Sequence, residues 1–133
     1  MTRLLIVDDE PSVLSALHRS LRQRMGGELE IVTETDAMAA LDRVRRELFD
    51  VVISDLRMPE IDGVALLSLV GAVQPTTVRM ILTGTADFET AQRAIQDAGV
   101  FRYLTKPWVD AEVVAHVRAG LAQARLNQIS LVS

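Results

Sequence analysis

The chain has 133 residues, is 49% hydrophobic and 24% charged, and carries a net charge of −4, which suits one ordinary globular domain rather than a disordered or fibrous chain. No apolar run approaches the roughly 18 residues of a membrane span. Met1-Thr2-Arg3 does not open a signal peptide, and the acidic balance speaks against a nucleic-acid face, so the expected place is the cytoplasm, with no membrane or direct nucleic-acid partner.

Zero cysteines exclude disulfides, a thiol nucleophile and Cys-ligated zinc, while the two histidines, His18 and His116, lie far apart and read as helix-surface residues. Arg3 to Val7 reads as a short strand running into Asp8-Asp9-Glu10, and Pro11 suits the first turn of a helix, where its missing N–H costs nothing. Val13, Leu14, Leu17 and Leu21 keep helical spacing up to Met25, and Gly26-Gly27 ends that helix. Leu29 to Val32 is a second strand. Asp36 then caps a helix with Ala37, Ala40, Leu41 and Val44 on one face, and Arg43, Arg45 and Arg46 suit its C-terminal dipole.

Val51-Val52-Ile53 is an apolar run without polar alternation, the mark of a central parallel strand covered on both faces, and it ends in Ser54-Asp55. Pro59 and Asp62-Gly63 mark the loop that follows. The next helix runs from Val64 to about Val73, with Gly71 weakening its last turn and Pro75 closing the unit. Thr77 to Leu82 is a fourth strand delivering Thr83-Gly84-Thr85. Asp87 reads as the cap of a helix over Phe88 to Ala98, which Gly99 stops. Val100 to Leu104 is a fifth strand leading into Thr105-Lys106-Pro107-Trp108, and Asp110 caps a last helix that has no breaker as far as Gln128. Five βα units without internal repeats predict an α/β fold, a flavodoxin-like (βα)5 doubly wound parallel sheet with strand order 2-1-3-4-5.

The chemically distinctive residues follow the first, third, fourth and fifth strands: Asp8 and Asp9, Asp55, Thr83, and Lys106. All four loops fall on the carboxyl edge of the sheet, where open α/β folds hold ligands, and the strand order makes the first and third strands neighbours. Converging carboxylates raise one another's pKa unless a cation sits among them, and an oxygen-rich site of this kind suits Mg²⁺. Lys106 and Thr83 offer an ammonium and a hydroxyl to an incoming phosphoryl group. The set points to phosphoryl transfer onto a carboxylate, with Asp55 as nucleophile.

On these residues the sequence resembles the receiver domain of bacterial two-component response regulators, over about residues 3 to 121. The acidic pair stands in Val7-Asp8-Asp9-Glu10, the phosphoacceptor in Ser54-Asp55, and the following loop in Met58-Pro59-Glu60-Ile61-Asp62-Gly63. By resemblance, Thr83 is the switch hydroxyl, Tyr103 the rotating aromatic, and Lys106-Pro107 the lysine followed by a proline in cis linkage. The resemblance also implies Mg²⁺, or Mn²⁺, held by Asp9, Asp55 and the Arg57 main-chain carbonyl, with Asp8 acting largely through water. The implied donor is a phosphohistidine on a sensor histidine kinase or phosphotransfer protein, for which acetyl phosphate can substitute. Arg57 and Thr85 would flank the phosphoryl group and modulate access of water; Arg57 either reaches over the site or points into solvent. The Thr83 to Asp87 and Leu104 to Trp108 segments look most like receivers ahead of cyclic-dinucleotide phosphodiesterase or ATPase-type output domains.

The expected division is a receiver over residues 1–121 and an extension of the last helix over 122–133, a linker toward an output domain. The expected role is a signalling switch that catalyses only its own phosphorylation and dephosphorylation. A nucleotide- or flavin-binding protein would want a glycine-rich loop where Asp8-Asp9-Glu10-Pro11 stands, and a degenerate receiver serving only protein interaction would have lost an acid or the lysine. Phosphorylation is expected to drive homodimerisation through the fourth helix, fifth strand and fifth helix, where Arg93, Asp97, Arg102, Asp110, Glu112 and Arg118 supply charges of both signs.

Overall fold

The computed structural model describes residues 2–132, without the side chains of Thr85, Ala94, Ile95, Asp97, Leu131 and Val132. Strands and helices alternate as β1 (Thr2–Val7), α1 (Pro11–Met25), β2 (Leu29–Glu34), α2 (Ala37–Arg46), β3 (Val51–Asp55), α3 (Gly63–Val73), β4 (Val78–Gly84), α4 (Phe88–Asp97), β5 (Arg102–Lys106) and α5 (Asp110–Val132). The strands form one parallel sheet in the order β2-β1-β3-β4-β5, the order expected from the sequence.

The unbroken apolar runs have a direct cause. Neighbouring side chains on a strand point to opposite faces, so Leu5, Val7 and Val52 enter a core layer with α2 and α3, while Leu4, Ile6, Val51 and Ile53 enter another with α1 and α5. Both layers are dry around the central strands, with Leu4 to Val7 and Val51 to Ile53 at 0% exposure.

Local chemistry sets the helix ends. Asp36 accepts the Ala39 N–H at 3.2 Å and Asp62 accepts the Ala65 N–H at 2.8 Å, each satisfying a donor that the first turn leaves open. Asp110 does not cap α5. The Val109 carbonyl receives the Glu112 and Val113 N–H groups, while the Asp110 carboxylate receives the Trp108 indole N–H at 3.1 Å. β5 also starts at Arg102 rather than Val100, although the Phe101 N–H already reaches Arg79 O at 2.7 Å.

Glycines make room at two close approaches. A Cβ on Gly63 would stand 2.1 Å from the Asp55 carbonyl oxygen, so α3 can start against the end of β3 only without one. Gly71 leaves space for the Arg79 guanidinium, which crosses from β4 to donate to Leu67 O at 3.3 Å and Ala98 O at 2.7 Å, with its Nε buried and unpaired.

The amino edge of the sheet is tied by polar contacts. Gln74 donates to the carbonyls of Val44 and Glu47 and accepts the Phe49 N–H at 3.2 Å, and the Thr77 hydroxyl lies 2.8 Å from its Oε1. Arg3 lies over the Phe49 ring at 4.6 Å and pairs with Glu30 and Glu47, while Arg43 pairs with Glu34 and Glu47. α5 is continuous to Val132; Ala124 is buried in the core and Asn127 donates to Thr76 O at 3.2 Å. No helix among the described residues is long and apolar enough to cross a membrane.

Two outcomes follow from that edge. Gln74→Ala leaves partly buried amide and carbonyl groups unpaired, so the unfolding free energy should fall by about 2 kcal/mol or more in urea titration. Hydrogen bonding by Arg3, with the charges of Arg43 and Arg3, holds the Glu47 pKa below the ordinary carboxylate value. A depressed folded pKa gives stability that is present above the unfolded pKa and is lost as pH falls through the folded one. Glu47→Gln should therefore flatten the stability profile across that acid range, measured by denaturant midpoints at each pH, and change its slope little near neutrality.

Candidate functional site

The central strands deliver their last residues to one edge. Val7 pairs with Ser54 and Asp55 with Leu82, so the ends of β1, β3 and β4 stand side by side, and Gly84 pairs with Lys106 on β5. Asp8, one residue beyond β1, is fully buried, with one carboxylate oxygen fixed by the Glu10 N–H at 2.9 Å. Asp9 is exposed. Asp55 ends β3 at 7% exposure, and the Ser54 hydroxyl beside it donates to the Asp55 main-chain oxygen at 3.0 Å.

Lys106 bridges the two buried acids. Its Nζ lies 2.9 Å from Asp8 Oδ2 and 3.2 Å from Asp55 Oδ1, and the following Lys106-Pro107 peptide bond is cis. Burial pushes the Asp55 carboxyl above its ordinary pKa and the Asp8 charge adds to this, against the opposing pull of Lys106. Burial alone would lower the Lys106 pKa, but contact with Asp8 and the charge of Asp55 overcome it and the net shift is upward. The ammonium is thus firmly charged while one cation serves two buried anions.

A metal ion fits this donor set. Carboxylate oxygens of Asp8, Asp9 and Asp55 lie within 4.8 Å of one another, and Asp8 Oδ2 is buried without a hydrogen bond, in charge contact with Lys106. Hard, anionic oxygens carrying more negative charge than one lysine offsets suit Mg²⁺ or Mn²⁺.

The remaining predicted residues divide. Thr83 is buried at the end of β4, its hydroxyl donating to Gly84 O at 3.1 Å. Tyr103 is half-buried on β5, and the Phe88 ring meets it edge-on at 5.4 Å between centroids. Arg57 is largely exposed to solvent, and its guanidinium also meets Asp87, with Nη2 at 2.8 Å and Nε at 3.2 Å from the same oxygen. Asp87, expected as a helix cap, does stand one residue before α4, and what the sequence did not foretell is its contact with Arg57; the signal was an acid in the loop beside the one holding Arg57. The Thr85 side chain lies outside the described residues, as does that of Asp97. Of the other charges expected on the α4-β5-α5 face, Arg102 contacts His116 at 3.4 Å and Arg118 pairs with Glu28 at 3.5 Å.

The chain is similar to known proteins in sequence and in fold. The family model described as the response regulator receiver domain matches residues 4–118. The hydrogenase transcriptional regulatory protein HoxA of Bradyrhizobium diazoefficiens is 32% identical over 94% of the chain and 25% of its own length. The transcriptional regulatory protein GlrR of Escherichia coli is 42% identical over 78% of the chain and 22% of its own length. The chain therefore spans a quarter or less of these relatives. Among solved structures, the signal receiver domain of an HD domain-containing protein from Pseudomonas fluorescens superposes with a TM-score of 0.88 at 30% identity, covering 96% of this chain and 91% of that one. A response regulator receiver domain from Clostridium thermocellum gives 0.85 at 26% identity, covering 95% and 98%. A doubly wound sheet in the order β2-β1-β3-β4-β5, an acidic carboxyl edge and a family match over most of its length place the chain among the response regulator receiver domains of two-component systems.

Proposed function

We propose that the domain takes a phosphoryl group from the phosphohistidine of a sensor histidine kinase or phosphotransfer protein onto Asp55, and changes shape in response. The observation that carries this is the Lys106 ammonium standing 3.2 Å from a buried Asp55 whose other neighbours are acids. An Asp55 oxygen attacks phosphorus, the P–N bond to the imidazole breaks, and its electron pair stays on the ring nitrogen, which takes up a proton. Lys106 then pairs with a phosphoryl oxygen while keeping its contact with Asp8. Mg²⁺ or Mn²⁺ supplies charge neutralisation between the carboxylates and the phosphoryl oxygens when bound. Asp9 and Asp55 would hold it, with the Arg57 main-chain carbonyl. Asp8, already engaged by Glu10 and Lys106, would act largely through water.

The Thr83 hydroxyl, now spent on Gly84 O, would exchange that bond for a phosphoryl oxygen as its loop moves toward Asp55. Tyr103 would turn into the vacated space and leave the edge of Phe88, altering the α4-β5-α5 face. This is a two-state shift biased by charge-assisted bonds that exist only with phosphate present. Homodimerisation through that face, using Arg93, Asp110 and Glu112 with charges released from internal contacts, is the readout we favour. Residues 1–121 would be the switch and 122–133 the helical extension toward an output domain, in the cytoplasm.

Incubation with magnesium and acetyl phosphate should add one phosphoryl group by intact mass, and Asp55→Asn, which keeps the shape but removes the nucleophile, should add none. Normal uptake by Asp55→Asn would sink the assignment. Sedimentation with beryllofluoride, a mimic of the aspartyl phosphate, should show a dimer; a monomer unchanged at tens of micromolar would count against the dimer face.

A further inference from the structure

We propose that Arg57 and Asp87 form a latch that holds the loop after β4 in its unphosphorylated position, which makes Arg57 a positioning residue for the switch. This rests on Asp55 as the phosphoacceptor. β3 and β4 stay paired one residue past Asp55, where the Leu56 N–H reaches Leu82 O at 3.0 Å, and then their loops part. Arg57 rejoins them. Both Nε and Nη2 converge on one Asp87 oxygen, so the guanidinium is held at two points rather than by a single swinging contact.

The segment between the latch and Thr83 is the part that would have to move. Thr83 sits at one end, its hydroxyl occupied by Gly84 O, and Asp87 sits at the other, tied to Arg57. A Cβ on Gly84 would meet nothing within 4 Å, so the backbone faces open space on that side just past its pairing with Lys106. The tie to Arg57 is therefore a restraint in a segment with room to shift. Its strength suits a restraint that yields: the Arg57 side chain is 68% exposed, and an ion pair so open to water is weak.

A phosphoryl group on Asp55, two residues from Arg57, brings up to two negative charges and several acceptor oxygens. That group competes with the single Asp87 carboxylate for the guanidinium. Arg57 leaves Asp87 and frees the loop when Thr83 is needed at the phosphoryl oxygen. Substitution of the Arg57 side chain leaves its main-chain carbonyl in place, so metal holding and latching can be separated.

The test compares the wild-type protein with Asp87→Asn, Arg57→Ala and the charge swap Arg57→Asp with Asp87→Arg. In the unmodified proteins, amide hydrogen exchange over residues 84 to 88 should speed up about two- to fivefold in each single variant. The swap should restore the wild-type rate, which a role in packing alone would not do, and wild type should approach the single variants at 1 M salt, where screening acts within about 3 Å. With magnesium present, Asp87→Asn, which frees the guanidinium without removing it, should bind beryllofluoride more tightly by a similar factor. Unchanged exchange, or a swap that fails to restore it, overturns the latch whatever Asp55 does with phosphate. Accelerated and restored exchange without beryllofluoride uptake by any of the proteins supports the latch and overturns the phosphoacceptor reading instead.

Discussion

The carboxyl edge of the sheet holds two buried carboxylates against one partly exposed ammonium, and most of the architecture around it can be understood as a way of keeping them there. Charges withdrawn from water are costly unless paired, and removing one partner of a buried pair costs more than the pair contributes. Lys106 divides its charge between Asp8 and Asp55, so the cluster remains short of positive charge. The dry apolar strands behind it keep solvent from making up the difference. Gly63, by lacking a Cβ, lets α3 start directly against the Asp55 carbonyl and fixes where the third strand ends. The result is a stable fold with a local electrostatic deficit at one edge, which is what a site for an added cation and an added anion requires.

Much of this was legible in the sequence because it depends on local rules. Consecutive apolar residues in Val51-Val52-Ile53 require cover on both faces, which in turn requires helices on both sides of a parallel sheet. Each acid or lysine that ends a strand must then fall on the same edge. Asp36 could be recognised as a cap because its partner lies three residues away. The features that escaped depend on contacts between distant segments. Asp87 has the composition of a cap, and nothing local says that Arg57 will reach it across two loops. Gly71 looks like a weak spot in α3, whereas its missing side chain is the space that Arg79 occupies. At β5, Val100 and Phe101 have strand-like side chains, but ladder pairing begins at Arg102.

The two edges of the sheet differ in how they treat charge. At the amino edge, Arg3 meets both Glu30 and Glu47, Arg43 links Glu47 to Glu34 at the end of β2, and Gln74 satisfies the main-chain groups where α2, α3 and β4 come together. These contacts pair opposite charges and satisfy main-chain groups. At the carboxyl edge Asp8 Oδ2 relies on the Lys106 ammonium, which it shares with Asp55, and the Thr83 hydroxyl is spent on the carbonyl next to it. The settled edge supplies the stability against which small rearrangements at the other can take place.

α5 joins the two edges. It starts just beyond Lys106 and runs 23 residues, so by the 1.5 Å rise of a helix it is a rod of about 34 Å. Ala124 is packed into the core, and Asn127 is fastened to Thr76 at the amino edge, so the rod is clamped along the body before its last turn emerges. Anything joined after Val132 would start on the side of the sheet away from the carboxylates. Such an attachment would start at the far end of the rod from Asp55, with the orientation of the rod and the flank beside it as the routes that join the two.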